Sequence, residues 1–261
     1  MNGRAFMVAI GPVTKFHRQT MIAPGSAEWL ARRTGKTIGS SQAAAVFNGV
    51  SKTSTKQDFL NSLKGVPKPT PNAYLQRMLD AGVAMEPVLR NEAAYVLELL
   101  LRKKLITYVP CQFVGDTHYG IEERSTPDMV VIDANLSSVA LVEIKWRCTN
   151  GDCGWPHPLV KSSQPRHLGL TVWCQVQHQM HVTGIHSAFV YSGSAKNRRL
   201  WHVHYCSIFR QKHFLPALQR CAEKDGAEDH APMVHISALS LLLDASSQEI
   251  GLPIAYSMAT Q

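Results

Sequence analysis

ERSTPDMVVIDANLSSVALVEIKWR, residues 123–147, decides the fold. DMVVID (128–133) and ALVEIKW (140–146) are short β-rich runs, and DANLSS (133–138) between them has turn composition, so the stretch predicts a β-hairpin. Strands of this kind bury themselves in a sheet, where Asp128, Glu143 and Lys145 are costly residues. Their presence calls for a chemical reason.

Side chains alternate along a strand, so Leu141, Glu143 and Lys145 share one face while Val142, Ile144 and Trp146 share the other. Glu143 and Lys145 then stand about 7 Å apart by the strand rise. The hairpin brings Asp128, at the start of the first strand, to the far end of the second. Two carboxylates and an ammonium meet at one sheet edge. Neighbouring carboxylates raise one another's pKa unless positive charge lies between them. A hard divalent ion such as Mg²⁺ supplies that charge through oxygen ligands, and it can activate water at a phosphodiester while a lysine orients that water. The plainer reading is a surface hairpin with an ordinary Glu/Lys pair.

Outward from this hairpin, PGSAEWLARRTG (24–35), IGSSQAAAVFNG (38–49) and STKQDFLNSLKG (54–65) predict three short helices, the second starting at Ser40 or Ser41 and the third with Ser54 and Gln57 as a capping box. GVPKPTPN (65–72) breaks the chain. A helical pattern runs from Ala73 to about Lys104, interrupted at Gly82 and Pro87, so that Glu86 opens its second segment. LITYVPCQFV (105–114) reads as a strand, LTVWCQVQHQMHVTG (170–184) as a helix, SAFVYSG and RRLWHVHY as a hairpin, and 207–224 as a closing helix. The expected organisation is an N-terminal extension over 1–24, one α/β domain over 25–224, and a tail or packing helix over 225–261.

The net charge of +8 suits a protein that meets polyanions. With 45% hydrophobic and 18% charged residues the chain is globular, and its apolar runs are shorter than the ~18 residues a membrane span needs. Residues 1–24 carry basic and no acidic side chains, which fits either a plain extension or an organelle transit segment. Without a secretory signal the six cysteines read as reduced thiols, and the expected location is intracellular, in cytoplasm or a host nucleus.

Four blocks, GSAEWLARRTGKTIGSSQAAAV, AGVAMEPVL, STPDMVVI with LVEIKW, and WCQVQHQMHVTG, occur in this order. Together they resemble the lambda-exonuclease-like branch of the PD-(D/E)xK nucleases, the YqaJ-type viral recombination exonucleases. The resemblance implies a restriction-endonuclease-like α/β core with a mixed central sheet flanked by helices and a helical N-terminal part. It implies a Mg²⁺-dependent 5′-to-3′ exonuclease on double-stranded DNA ends, with Mn²⁺ a substitute, two ions per site, a trimeric ring and a single-strand annealing protein as partner. By the same resemblance Asp128, Glu143, Glu86 and the carbonyl of Ile144 hold metal, Lys145 orients water, and Gln175 packs beside that lysine. Arg33 with Ser41, or Ser40, receives the 5′ phosphate. Lys161, Arg166, Lys196, Arg198 and Arg199 are candidate DNA-backbone contacts, or solvated charges, and Trp155 could stack on a base.

An endonuclease or single-strand nuclease of this fold, or an inactive DNA-end-binding module, are the alternatives. Two departures stand out. Asp116 and Glu123 are loose candidates for a further acid before the Pro-Asp block, and Cys148, Cys153, His157 and His167 lie in an unusual loop whose spacing fits no common zinc finger.

Overall fold

The computed structural model describes residues 11–12, 26–27, 36–51, 55–110, 112–134, 138–146, 168–194, 197–223 and 236–252. They form two mixed sheets flanked by helices. The strands are β1 Gly11–Pro12, β2 Thr37–Gly39, β3 Leu105–Tyr108, β4 Phe113–His118, β5 Ile121–Ser125, β6 Met129–Asp133, β7 Ser138–Trp146, β8 Ser187–Gly193, β9 Arg198–His204 and β10 Ser247–Ile250. The helices are α1 Lys56–Leu63, α2 Ala73–Leu101, α3 Leu170–Thr183, α4 Leu215–Glu223 and α5 Ile236–Ser246, with a 3₁₀ helix at Ser40–Val46 and a π-helical turn at Phe209–Phe214.

The larger sheet runs β10-β9-β8-β7-β6-β3, with β1 on the first residues of β7. Strands β6 and β7 form the expected antiparallel hairpin, with Met129 opposite Val142. Strand β8 lies parallel to β7, which a tight turn cannot achieve, and α3 falls in the long crossover between them. The alternation along β7 sends Leu141 into a core with Trp173, Val176 and Met180 of α3. Val142 and Ile144 go to the other face, against Leu89, Ala93, Val96 and Leu97 of α2. The sheet is thus covered by one long helix on each side. The second sheet, β2-β5-β4, pairs β2 parallel to β5 and β4 antiparallel to it.

Several local expectations change. Residues 73–101 are one helix, and Pro87 lies inside it, so Glu86 is mid-helix. Proline leaves the carbonyl four residues earlier without a donor, and that residue, Val83, is 71% exposed, where water can replace it. The capping box of α1 is Thr55 with Asp58, one residue later than expected, with Asp58 N donating to Thr55 Oγ1 at 3.1 Å and Thr55 N to Asp58 Oδ2 at 2.8 Å. The run 105–114 is two strands in different sheets, divided around Pro110. Strand β5, too charged to stand out in sequence, joins β4 through a turn in which Tyr119 and Gly120 have φ of 53° and 75°.

Residues 236–252 are part of this architecture. Leu239 and Leu243 of α5 are buried in the α3-side core, and Trp173 Nε1 donates to Ser246 Oγ at 3.0 Å. Strand β10 then pairs antiparallel with β9. Leu239→Ala is expected to cost about 2–5 kcal/mol of unfolding free energy in urea titrations. A cost within about 0.5 kcal/mol would show that α5 adds nothing to the cooperative core.

Candidate active site

The hairpin register delivers the expected juxtaposition. Asp128, just before β6, accepts a hydrogen bond at Oδ2 from the backbone N–H of Ile144 at 2.7 Å. The N–H and C=O of one strand residue face the same neighbour, so the Ile144 carbonyl also faces the Asp128 side. Glu143, only 2% exposed, points to the α3 face. Its Oε1 accepts from Lys145 Nζ and from Gln175 Nε2, the latter at 2.6 Å, and its Oε2 accepts from Gln179 Nε2 at 2.6 Å. A carboxylate offers about four acceptor positions, so Glu143 keeps one, on Oε2.

Gln179 escaped the sequence reading. It stands one turn beyond Gln175 in QVQHQ, and that i, i+4 spacing on a helix facing a strand carboxylate was the available signal.

Asp128 lines a pocket of about 440 Å³ with Glu86 and Gln175. Burial pushes its carboxyl well above the usual range, and Glu143 and Glu86 push it further, against Lys145 and the Ile144 N–H. Glu86, from the middle of α2, pairs with Arg90 at 2.5 Å. Ser40, Ser41, Arg90 and Arg124 also line the pocket; the two arginines are further residues that sequence reasoning did not single out. Ser41 is exposed, whereas Ser40 is buried with its Oγ 2.9 Å from His178 Nδ1. His178 Nε2 in turn lies 3.2 Å from Glu123 Oε2.

Glu123 does not join Asp128. It is fully buried and gripped by Arg210, through Nη1 at 2.8 Å and Nη2 at 2.5 Å. Burial alone would raise its pKa, but the hydrogen bond and charge of His178 and the Arg210 fork outweigh that and hold it at about 2. Arg210 reaches this position from the π-helical turn, where Leu215 N–H donates to Arg210 O five residues back. Asp116 is an exposed residue of β4 and does not line the pocket with Asp128.

Arg198 and Arg199 are both in ion pairs. Arg198 Nε holds Glu92 at 2.6 Å and Arg199 Nη1 holds Glu249 at 2.9 Å, so their cations tie β9 to α2 and β10. Arg33, Trp155, Lys161, Arg166, Lys196, Cys148, Cys153, His157 and His167 lie outside the described residues.

A family profile for the YqaJ-like viral recombinase domain matches residues 28–186, which include Glu86, Asp128, Glu143, Lys145 and the glutamine helix. The chain belongs to the YqaJ-like viral recombinase family. No curated protein matches it. Among solved structures it is similar to an alkaline exonuclease from Laribacter hongkongensis, at 19% identity and a TM-score of 0.49, covering 84% of this chain and 95% of that one. A structure of the same exonuclease in complex with dAMP gives the same figures of 19%, 0.49, 84% and 95%. Among the described residues of the recombinase domain no helix is long and apolar enough to cross a membrane.

The Glu123–Arg210 pair gives a pH prediction. Its folded pKa of about 2 lies below the roughly 4.3 of an unfolded glutamate, so the stabilisation is complete above about pH 5 and is lost as pH falls toward 2. Glu123→Gln, which strands the Arg210 charge, is expected to cost about 3–5 kcal/mol at neutral pH. Denaturant titrations between about pH 6 and 3 should show wild-type stability falling more steeply than that of the variant. Parallel curves would remove Glu123 as the acid-sensitive group.

Proposed function

We propose that this chain is a divalent-metal-dependent deoxyribonuclease that degrades double-stranded DNA from its ends in the 5′-to-3′ direction. The observation that carries the reading is Asp128 and Glu143 brought side by side by the β6–β7 register, with Lys145 on Glu143 and a pocket lined by guanidinium and hydroxyl groups beside them. Membership of a viral recombinase family supports DNA as the substrate.

The donors fit a hard ion. They are carboxylates with the Ile144 carbonyl facing the same side, and the pKa of the Asp128 carboxyl is raised first by burial and then by the neighbouring charges of Glu143 and Glu86. Asp128, Glu143 and the Ile144 carbonyl would hold Mg²⁺ or Mn²⁺, with Glu86 serving a second ion. The bound ion supplies Lewis acidity toward the phosphodiester and a water of lowered pKa.

The chain's own residues do the rest. Gln175 and Gln179 fix the rotamer of Glu143 and leave one lone pair uncommitted. Lys145 places an ammonium where the attacking water is held and adds positive charge as the phosphorane develops. Arg90 and Arg124, each already beside a glutamate, line the pocket with cations for phosphate oxygens. Exposed Ser41, rather than Ser40 committed to His178, is the hydroxyl available to a terminal phosphate; Arg33 is the guanidinium proposed to accompany it.

Duplexes labelled separately at each 5′ and 3′ end, digested with Mg²⁺ or with EDTA, test the reading. Mg²⁺-dependent release from the 5′ end is the expected result. Glu143→Gln and Lys145→Ala should each lower the initial rate by at least about a hundredfold while duplex binding persists. Near wild-type turnover in either variant would remove this strand from the chemistry. In thermal melts Mg²⁺ should raise the Tm of wild type and do so less for Asp128→Asn. Equal shifts would place the ion elsewhere.

A further inference from the structure

Strand β4 and helix α3 bring together three side chains that the nuclease reading does not use. Asp116 and His118, two residues apart on β4, and His181 on α3 place a carboxylate oxygen and two imidazole nitrogens within 4.8 Å of one another. Among the described residues it is the only group of three histidine, cysteine or acidic side chains that converges so closely. Asp116 is exposed and both histidines are half-buried, so the cluster is reachable from solvent.

The surroundings favour an ion at this point. His181 Nδ1 lies 3.2 Å from Tyr205 Oη, which holds the ring in orientation, as ligating imidazoles generally are held through a second contact. A cation, Arg210, acts electrostatically on His181. The Arg210 charge is itself answered by the two-toothed grip on Glu123. Glu123 Oε1 also stands 3.7 Å from His118 Nε2, which sets that imidazole beside a buried carboxylate.

We propose that Asp116, His118 and His181 form a binding site for a first-row divalent ion of the zinc class, separate from the site at Asp128 and Glu143. Two imidazoles and one carboxylate suit Zn²⁺ or Co²⁺ far better than Mg²⁺, which prefers oxygen donors and its own water. Three protein ligands leave a tetrahedral ion one position for water. The ion clasps α3 to β4. Because α3 also carries Gln175 and Gln179, the clasp fixes the helix that positions Glu143. The site stands or falls independently of the nuclease reading.

The test uses the full chain, stripped with EDTA and returned to excess Mg²⁺ so that all-oxygen sites are filled. Zn²⁺ is titrated by calorimetry and Co²⁺ by its visible d–d absorption. Wild type and Asp128→Asn are expected to bind one ion per chain with the same affinity. Asp116→Asn, at an exposed position, and His118→Gln and His181→Gln, at half-buried ones, should each weaken binding by about a hundredfold or more. Equal binding by wild type and a variant carrying all three substitutions would overturn the site. So would loss of the ion in Cys148→Ser/Cys153→Ser with retention in the histidine variants, which would put it on the segment that follows β7.

Discussion

A carboxylate that is almost wholly buried must have its charge answered locally, and Glu143 meets this demand with three donors from two elements. Lys145 comes from its own strand; Gln175 and Gln179 come from α3. The helix must therefore lie along β7 with one particular face turned in. The parallel β7–β8 pairing sets it there, because α3 lies in the connection that carries the chain back to the start of β8. Leu141 on the same face of β7, packed with Trp173 and Val176, supplies the apolar part of that contact. Helix α2, on the opposite face, contributes Glu86 to the pocket from a helix whose own anchor is Leu89 and Ala93.

A second buried charge organises the smaller sheet. Glu123 of β5, Arg210 of the π-helical turn, His178 of α3 and Ser40 of the 3₁₀ helix form a connected chain of polar contacts. Breaking any link leaves an unanswered group in a water-poor environment, which is why such networks fix geometry even where their net contribution to stability is small. Ser40 sits at the pocket end of that chain, so the pocket wall inherits its position from an ion pair outside the pocket.

The hairpin of β6 and β7, the glutamine helix and the β8–β9 hairpin were legible because their signals are local: alternation, helical spacing and a polar turn. So were Asp128, Glu143 and Lys145, since charges inside apolar runs are conspicuous. What sequence concealed depended on distant partners. Glu123 was a loose candidate for a further acid of the site and Arg124 was not singled out, yet one answers Arg210, 87 positions away, and the other lines the pocket. Pro87 looked like a break, but an exposed carbonyl can find water and the helix continues. Arg198 and Arg199 looked like surface cations until Glu92 and Glu249 were placed beside them. Residues 225–261 read as a tail or a packing helix, and sequence did not choose between the two, as only the finished sheet shows what α5 and β10 cover.

The position of β10 bears on how the molecule is made. A ribosome releases β9 well before the segment that pairs with it, and in that interval β9 offers unpaired backbone groups, flanked by buried Leu200, Trp201 and Val203, to any other extended chain. Nascent copies on one messenger are therefore exposed to mutual strand pairing until β10 arrives. Once it does, the Arg199–Glu249 ion pair and the four-residue ladder close that edge from within the same chain.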